Sequence, residues 1–345
     1  MRHLLFFKKI NGLMALFMMF NLNVACAQQD KQWISFEGGQ GPGAGKHIVL
    51  VSGDEEYRSE EALPMLAKIL STHHGFKTTV LFAIDPKSGE INPDYQHNIP
   101  GLEQLASADL MVLFTRFREL PDAQMQHIDE YLKAGKPIIA MRTSTHAFHY
   151  EDNMDSPYAK YSFNSKTAGW EEGFGRQVLG ETWVDHHGHH AYEGTRGLID
   201  GIQQRKGHPI LRGVKDIWGP TDVYGTRELT GDPEVLVWGQ PTKGMTADTE
   251  LNWEKSVMPV AWTKTFSNES GKTNRIFTTT MGASVDLLSE DLRRLLVNAV
   301  YWGLEMESQI PEENNVAIVG EYNPTMFGFG DYQKGRKPTY YSNKN

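Results

Sequence analysis

The sequence predicts an α/β fold: an open parallel sheet with helices on both faces. Three observations carry the prediction. Several short apolar runs lack polar alternation, as strands buried on both faces do. Between them lie segments whose apolar residues recur at helical spacing. Glycines and prolines separate the two kinds of segment, the punctuation expected of βαβ units.

Taken in order, residues 28–45 are polar and glycine-rich and read as a flexible lead-in. His47–Val51 is the first strand, ending at Ser52-Gly53. A helix begins between Ser59 and Pro64, aligns Leu63, Leu66 and Leu70, and ends at His73-His74-Gly75. Thr78–Ile84 and Leu110–Phe114 are the second and third strands. Pro121–Ala134 is a helix with Met125, Ile128 and Leu132 inward, closed by Gly135 and followed by a fourth strand, Pro137–Met141. From 150 to 270 the rhythm is irregular, with strand-like pieces at Val235–Trp238 and Val260–Thr263. Regularity returns in a strand, Arg275–Thr280, and a helix, Ser289–Met306, that turns Leu292, Leu295, Leu296 and Ala299 inward. No internal repeat or domain break interrupts residues 46–306, which read as one domain with a C-terminal extension, 307–345.

The chain has 345 residues, 39% apolar and 22% charged, the composition of a globular protein. A net charge of −9 argues against a nucleic-acid partner, which calls for a basic surface. The single cysteine, Cys26, excludes internal disulfides and thiolate-rich zinc sites. It sits in what reads as an export signal: basic Arg2, Lys8 and Lys9, an apolar run Gly12–Phe20, then Ala25-Cys26-Ala27. The run is too short to span a bilayer, and no later segment matches it, so no transmembrane helix is expected. Cleavage after Ala27 would release a soluble periplasmic or extracellular protein. Alternatively Val24-Ala25-Cys26 is a lipoprotein signal and Cys26 a lipid anchor. Either way the domain has no thiol, and without residues 1–27 the charge is −12.

In an open parallel sheet, ligands gather beyond the carboxyl ends of the strands. That rule selects Ser52–Ser59 with Asp54 and Glu55, Thr115–Glu119 with Arg116, and Arg142–His149 with Arg142, Thr143, Ser144 and His146. Such groups of both signs suit a polyhydroxylated or anionic small molecule. The string Asp185-His186-His187-Gly188-His189-His190 offers imidazoles for a divalent metal ion, with His186, His187 and His189 as the ligand set, or for proton transfer. In extended chain, however, His187 and His189 share one face and His186 and His190 the other. Neither a dinucleotide fingerprint nor a phosphate loop follows the first strand, and no Gly-x-Ser-x-Gly surrounds Ser144.

Several segments together resemble one family. Ser52-Gly-Asp-Glu-Glu-Tyr-Arg58, Ile138-Ile-Ala-Met-Arg-Thr-Ser-Thr-His146, Gly175-Arg-Gln-Val-Leu-Gly180, Glu181-Thr-Trp-Val-Asp-His-His187, His208-Pro-Ile-Leu-Arg-Gly213, Asp222-Val-Tyr224 and Arg275-Ile-Phe-Thr-Thr-Thr-Met-Gly282 are similar, in this order, to a trehalose-utilisation (ThuA-like) domain. The resemblance runs from about His47 to Glu305. It implies a flavodoxin-like sheet of the class I glutamine amidotransferase type. In those amidotransferases the turn after the corresponding strand carries a nucleophilic cysteine; here it reads Arg142-Thr143-Ser144, so thioester chemistry is excluded. Many ThuA-like proteins carry a histidine at that turn and a Gly-His pair after the last strand. This chain has Arg142 and Gly282-Ala283 instead, which suits a secreted branch whose imidazoles come from Asp185–His190.

The resemblance implies a role in carbohydrate catabolism. On one reading the protein is an enzyme acting on a sugar or keto-sugar by acid–base or metal-assisted chemistry. His187, His146, Arg142 and Glu55 would be its catalytic groups, and Asp54, Arg116, Thr143, Ser144 and Tyr224 would bind substrate. On the other it is a non-catalytic carbohydrate-binding or scaffold protein, with Trp170, Trp183 and Trp218 as sugar platforms. No sequence feature sets an oligomeric state.

Overall fold

A computed structural model of the chain describes residues 31–342, so the stretch that reads as an export signal, with Cys26, lies outside the described residues. The strands are β1 (Trp33–Phe36), β2 (His47–Gly53), β3 (Lys77–Phe82), β4 (Leu110–Thr115), β5 (Ile138–Met141), β6 (His186–His187), β7 (Thr195–Gly197), β8 (Trp218–Gly219), β9 (Val223–Tyr224), β10 (Glu234–Pro241), β11 (Met258–Ser267) and β12 (Thr273–Thr279). The helices that frame them are α1 (Ser59–His74), α2 (Asp122–Lys133), α3 (Ile199–Gln204), α4 (Glu290–Gly303) and α5 (Thr339–Ser342).

Ten strands form one sheet in the order β1-β3-β2-β4-β5-β12-β11-β10-β7-β8, and β6 pairs with β9 in a separate ribbon. The middle of the sheet, β3-β2-β4-β5-β12, is parallel throughout. The expected parallel sheet is therefore the centre of a larger mixed one, extended by antiparallel β1 on one side and by β11, β10, β7 and β8 on the other.

Alternate residues of the parallel strands feed two cores. Ile48, Leu50, Val112 and Ile139 face one, with α1 and α4; Val49, Val51, Leu113 and Ala140 face the other, with α2. Burial on both faces is the reason these strands show no polar alternation. α1 ends where Gly75 adopts φ +78°, its N–H donating to the Ser71 carbonyl and that of Phe76 to the Leu70 carbonyl, a left-handed cap that glycine takes without strain. Ser289 caps α4 through its hydroxyl.

The expected lead-in is partly structured. Ser35 and Phe36 of β1 pair with Thr79 and Thr78, and Gly43 donates to the His74 carbonyl. The C-terminal extension has little regular structure among the described residues but packs on the α1–α4 core through Val316, Tyr322 and Phe327. No helix among the described residues is long and apolar enough to cross a membrane.

Candidate functional site

From β2 the chain first adds β3 on one side, then crosses to place β4 on the other, so the strand order reverses between β2 and β4. A crevice at such a reversal is the expected ligand position. Each loop leaving β2, β4 and β5 there carries one non-glycine residue at positive φ: Arg58 (+61°), Phe117 (+49°) and Arg142 (+50°). Such conformations cost of order 1–3 kcal/mol each and collect at functional sites.

Much of the polar lining expected to bind substrate is instead used internally. Asp54 accepts from the backbone N–H of Glu56 (2.8 Å) and of Tyr57 through one carboxylate oxygen, and from the Thr143 hydroxyl through the other. Ser144 donates to the Leu113 carbonyl at 2.8 Å. Asp54, Thr143 and Ser144 therefore tie the β2 and β5 loops to each other and to β4. Glu55 is clasped by Arg116 and, at 2.6 Å, by the fully buried Arg118, so its carboxylate is committed to an ion-pair network. The guanidinium of Arg116 lies between the rings of Phe117 (4.4 Å) and Phe329 (5.0 Å).

Arg142 is buried, with its guanidinium 3.8 Å from the Tyr57 ring centroid and 4.9 Å from that of Tyr224. Nη1 donates to the carbonyls of Asp222 and Thr280 (2.8 Å), and Nη2 lies 3.9 Å from Asp222 Oδ1. It positions Asp222. His146 is also buried, packed against Phe117, Trp183 and Tyr224, with Nδ1 3.1 Å from the Thr145 hydroxyl. Burial, then the charges of Arg116 and Arg142, push its pKa well below the ordinary value, so it is neutral.

Strand alternation separates His186 from His187, and a turn, not alternation, sets where His189 and His190 go. On the β6–β9 ribbon His186 sits opposite Tyr224 and His187 opposite Val223. His186 Nδ1 lies 2.6 Å from Asp222 Oδ2. Gly188 (φ +105°) and Ala191 (φ +65°) flank a turn that brings His190 back, with Nδ1 3.1 Å from Asp222 Oδ1 and Nε2 3.4 Å from Glu56 Oε1. His187 points away and donates from Nε2 to the Ser256 carbonyl at 2.6 Å. His189 is exposed. The expected ligand trio His186, His187 and His189 thus does not assemble; His186, His190 and Asp222 do, with ligating atoms within 4.8 Å of one another.

Asp222 has no exposed surface. Burial alone would raise its pKa, but the hydrogen bond with His186 and the charge of Arg142 hold it below the ordinary carboxylate value. Glu56, at the edge of the cluster, is pushed up to about 7 by burial and by Asp54.

Two walls complete the site. Half-buried Trp183 lies 6.1 Å from His186 and 5.7 Å from His146, centroid to centroid. Of the other proposed platforms, Trp170 is packed in the core and donates to Glu269, and Trp218 lies on β8. From the C-terminal extension, Phe327 stacks on Tyr57 (5.3 Å) and lies 5.0 Å from His190, while Gly328 N–H donates to the Glu56 carbonyl.

Sequence reasoning left His190 out of the ligand set and assigned no role to Asp222, Glu56 or Phe327. The turn that returns His190 to His186 is marked in the sequence by Gly188 alone, and the position of Asp222, 36 residues from His186 in the chain, carried no local signal.

A family model for trehalose utilisation, ThuA, matches residues 47–303. Solved structures of ThuA-like proteins from Bacteroides uniformis and Parabacteroides merdae share 12% and 13% identity with the chain. They cover 77% and 82% of it, and 94% and 97% of their own lengths, each with a TM-score of 0.46. No curated protein matches the sequence.

Proposed function

The chain belongs to the ThuA, trehalose-utilisation family, and we propose that it is an exported protein acting on a small carbohydrate, a sugar or keto-sugar. Its family membership carries a role related to trehalose utilisation; the chemistry proposed is proton transfer at the cluster of His186, His190, Asp222 and Glu56. One observation carries this reading: two imidazoles and two carboxylates converge beyond the carboxyl ends of the parallel strands, at the strand-order reversal.

A keto-sugar has an acidic C–H beside its carbonyl. A base at the cluster takes that proton, the C–H electron pair forms the enediolate or enolate, and a proton donor or cation stabilises the charge that develops on oxygen. Imidazole and carboxylate side by side supply the base and a way to balance its charge. Arg142 and the Asp54–Thr143 tie act on this step indirectly, by fixing Asp222 and the β2 loop.

The half-buried Trp183 beside His186 supports a second reading, a carbohydrate-binding module with no turnover. Incubating the protein with a 3-keto glycoside in D2O separates the two. Deuterium exchange or product formation that is lost in Asp222→Asn and His190→Ala but kept in His187→Ala supports proton transfer. Unaltered sugar with saturable binding identifies the module, and the absence of both binding and exchange overturns the carbohydrate reading.

A further inference from the structure

We infer that His186, His190 and Asp222 form a binding site for one divalent first-row transition-metal ion. The inference rests on the proposed function for its place in the chemistry, though not for the ligand set itself. Two imidazoles and one carboxylate reach within 4.8 Å of one another, and a metal with bonds of about 2.0–2.2 Å can engage all three after small side-chain adjustments. Imidazole donors select ions of the zinc or iron(II) type over calcium and magnesium, which take oxygen ligands. Three protein ligands leave coordination positions open for a substrate oxygen.

The surroundings hold the donors in place. The Glu193 carboxylate accepts from the backbone N–H of His189 at 2.6 Å and from Asn252 at 2.7 Å, which anchors the histidine turn from outside. Arg142 grips the Asp222 carbonyl and holds its other terminal nitrogen 3.9 Å from the Asp222 carboxylate, which fixes that side chain. Ala191 holds a left-handed conformation, unfavourable for a residue with a side chain, immediately after His190. Glu56 sits 3.4 Å from the far nitrogen of His190, where it orients that ring. In this arrangement the ion would supply Lewis-acid stabilisation of a keto or hydroxyl oxygen, and proton transfer would fall to Glu56, the member of the cluster outside the ligand set.

His187, turned to the other face of β6, and the exposed His189 give the test internal controls. Tag-free protein, stripped with a chelator and dialysed, is titrated with Co2+ and followed by visible d–d absorption, with metal content measured after Zn2+ reconstitution. The expected result is one equivalent of saturable binding, weakened at least tenfold in His186→Gln, His190→Ala and Asp222→Asn, and unchanged in His187→Ala and His189→Ala. Circular dichroism confirms that each variant is folded. The exposed His186 carries the test if the Asp222 variant does not fold. No saturable binding, or binding that survives His186→Gln and His190→Ala or is lost in His189→Ala, overturns the site. Full proton exchange on the keto-sugar by metal-free protein removes the ion from the chemistry but leaves the proposed function standing. Stoichiometric metal with no effect on any sugar does the reverse.

Discussion

Glu60, in the first turn of α1, gives the sharpest quantitative prediction. Its side chain is buried, and neither carboxylate oxygen has a hydrogen-bond partner. Burial therefore lifts its pKa from the ordinary 4.5 to about 8; Glu61 and Asp54 add to the rise, and the Arg58 charge opposes it. In the unfolded chain the group ionises near 4.5. A folded-state pKa raised in this way leaves stability intact at low pH and removes it as the pH climbs through 4.5 to about 8. At 1.36 kcal/mol per pKa unit, the loss is about 3 kcal/mol at pH 7 and roughly 5 kcal/mol above pH 9. Glu60→Gln keeps the shape and removes the titration. The amide is as poorly partnered as the protonated acid, so the two proteins should be equally stable near pH 4. The variant should gain about 3 kcal/mol at pH 7, or roughly 6–10 °C in melting temperature for a domain of this size. Urea unfolding from pH 4 to 9 measures the difference directly. A gap that is constant with pH, or a variant less stable at pH 8, would refute the assignment of Glu60 as a buried, unpartnered acid.

Three further outcomes follow from the same geometry. Glu55→Gln strips the buried guanidinium of Arg118 of its anion and should cost about 3–5 kcal/mol by urea unfolding; a loss under 1 kcal/mol would mean that Arg118 is satisfied by the carbonyls of Pro93, Tyr95 and Arg116, to which it also donates. His74, held neutral between the Tyr301 hydroxyl and the Asn315 carbonyl, has its pKa lowered to about 4, mainly by burial. A lowered histidine pKa removes stability as pH falls below 6.5, by about 3 kcal/mol at pH 4, so His74→Gln should flatten the acid limb of the stability curve. Phe327→Ala removes the ring that stacks on Tyr57 and touches His190; it should cost about 1–2 kcal/mol and raise proteolysis of the 320–330 segment, and unchanged cleavage would show that the segment is held by other contacts.

The parallel centre of the sheet was legible because burial on both faces leaves its mark residue by residue: Ile48–Val51, Leu110–Phe114 and Ile138–Met141 have nowhere to place a polar side chain. The antiparallel extension was harder to read. β10 buries Leu236 and Val237 in succession and then exposes Trp238, and its pairing with β11 shifts register between Val235 and Trp238, so neither clean period survives. β1 was hidden in a glycine-rich stretch, where a four-residue edge strand has too little pattern to register.

At the site, the sequence by itself determined the neighbourhood: the loops after β2, β4 and β5, the histidine string, and the alternation that separates His186 from His187. Only the tertiary structure decided which of those groups are free to act. Asp54, Glu55, Thr143 and Ser144 are consumed by partners 31 to 89 residues distant, whereas Asp222 is delivered to the imidazoles by a ribbon pairing that no local pattern announces. The physical reason is one of range. Burial and backbone period act on each residue and its near neighbours, and so are written along the chain. A polar side chain is spent or available according to the partner it meets across the fold, and that partner exists only once the fold has closed.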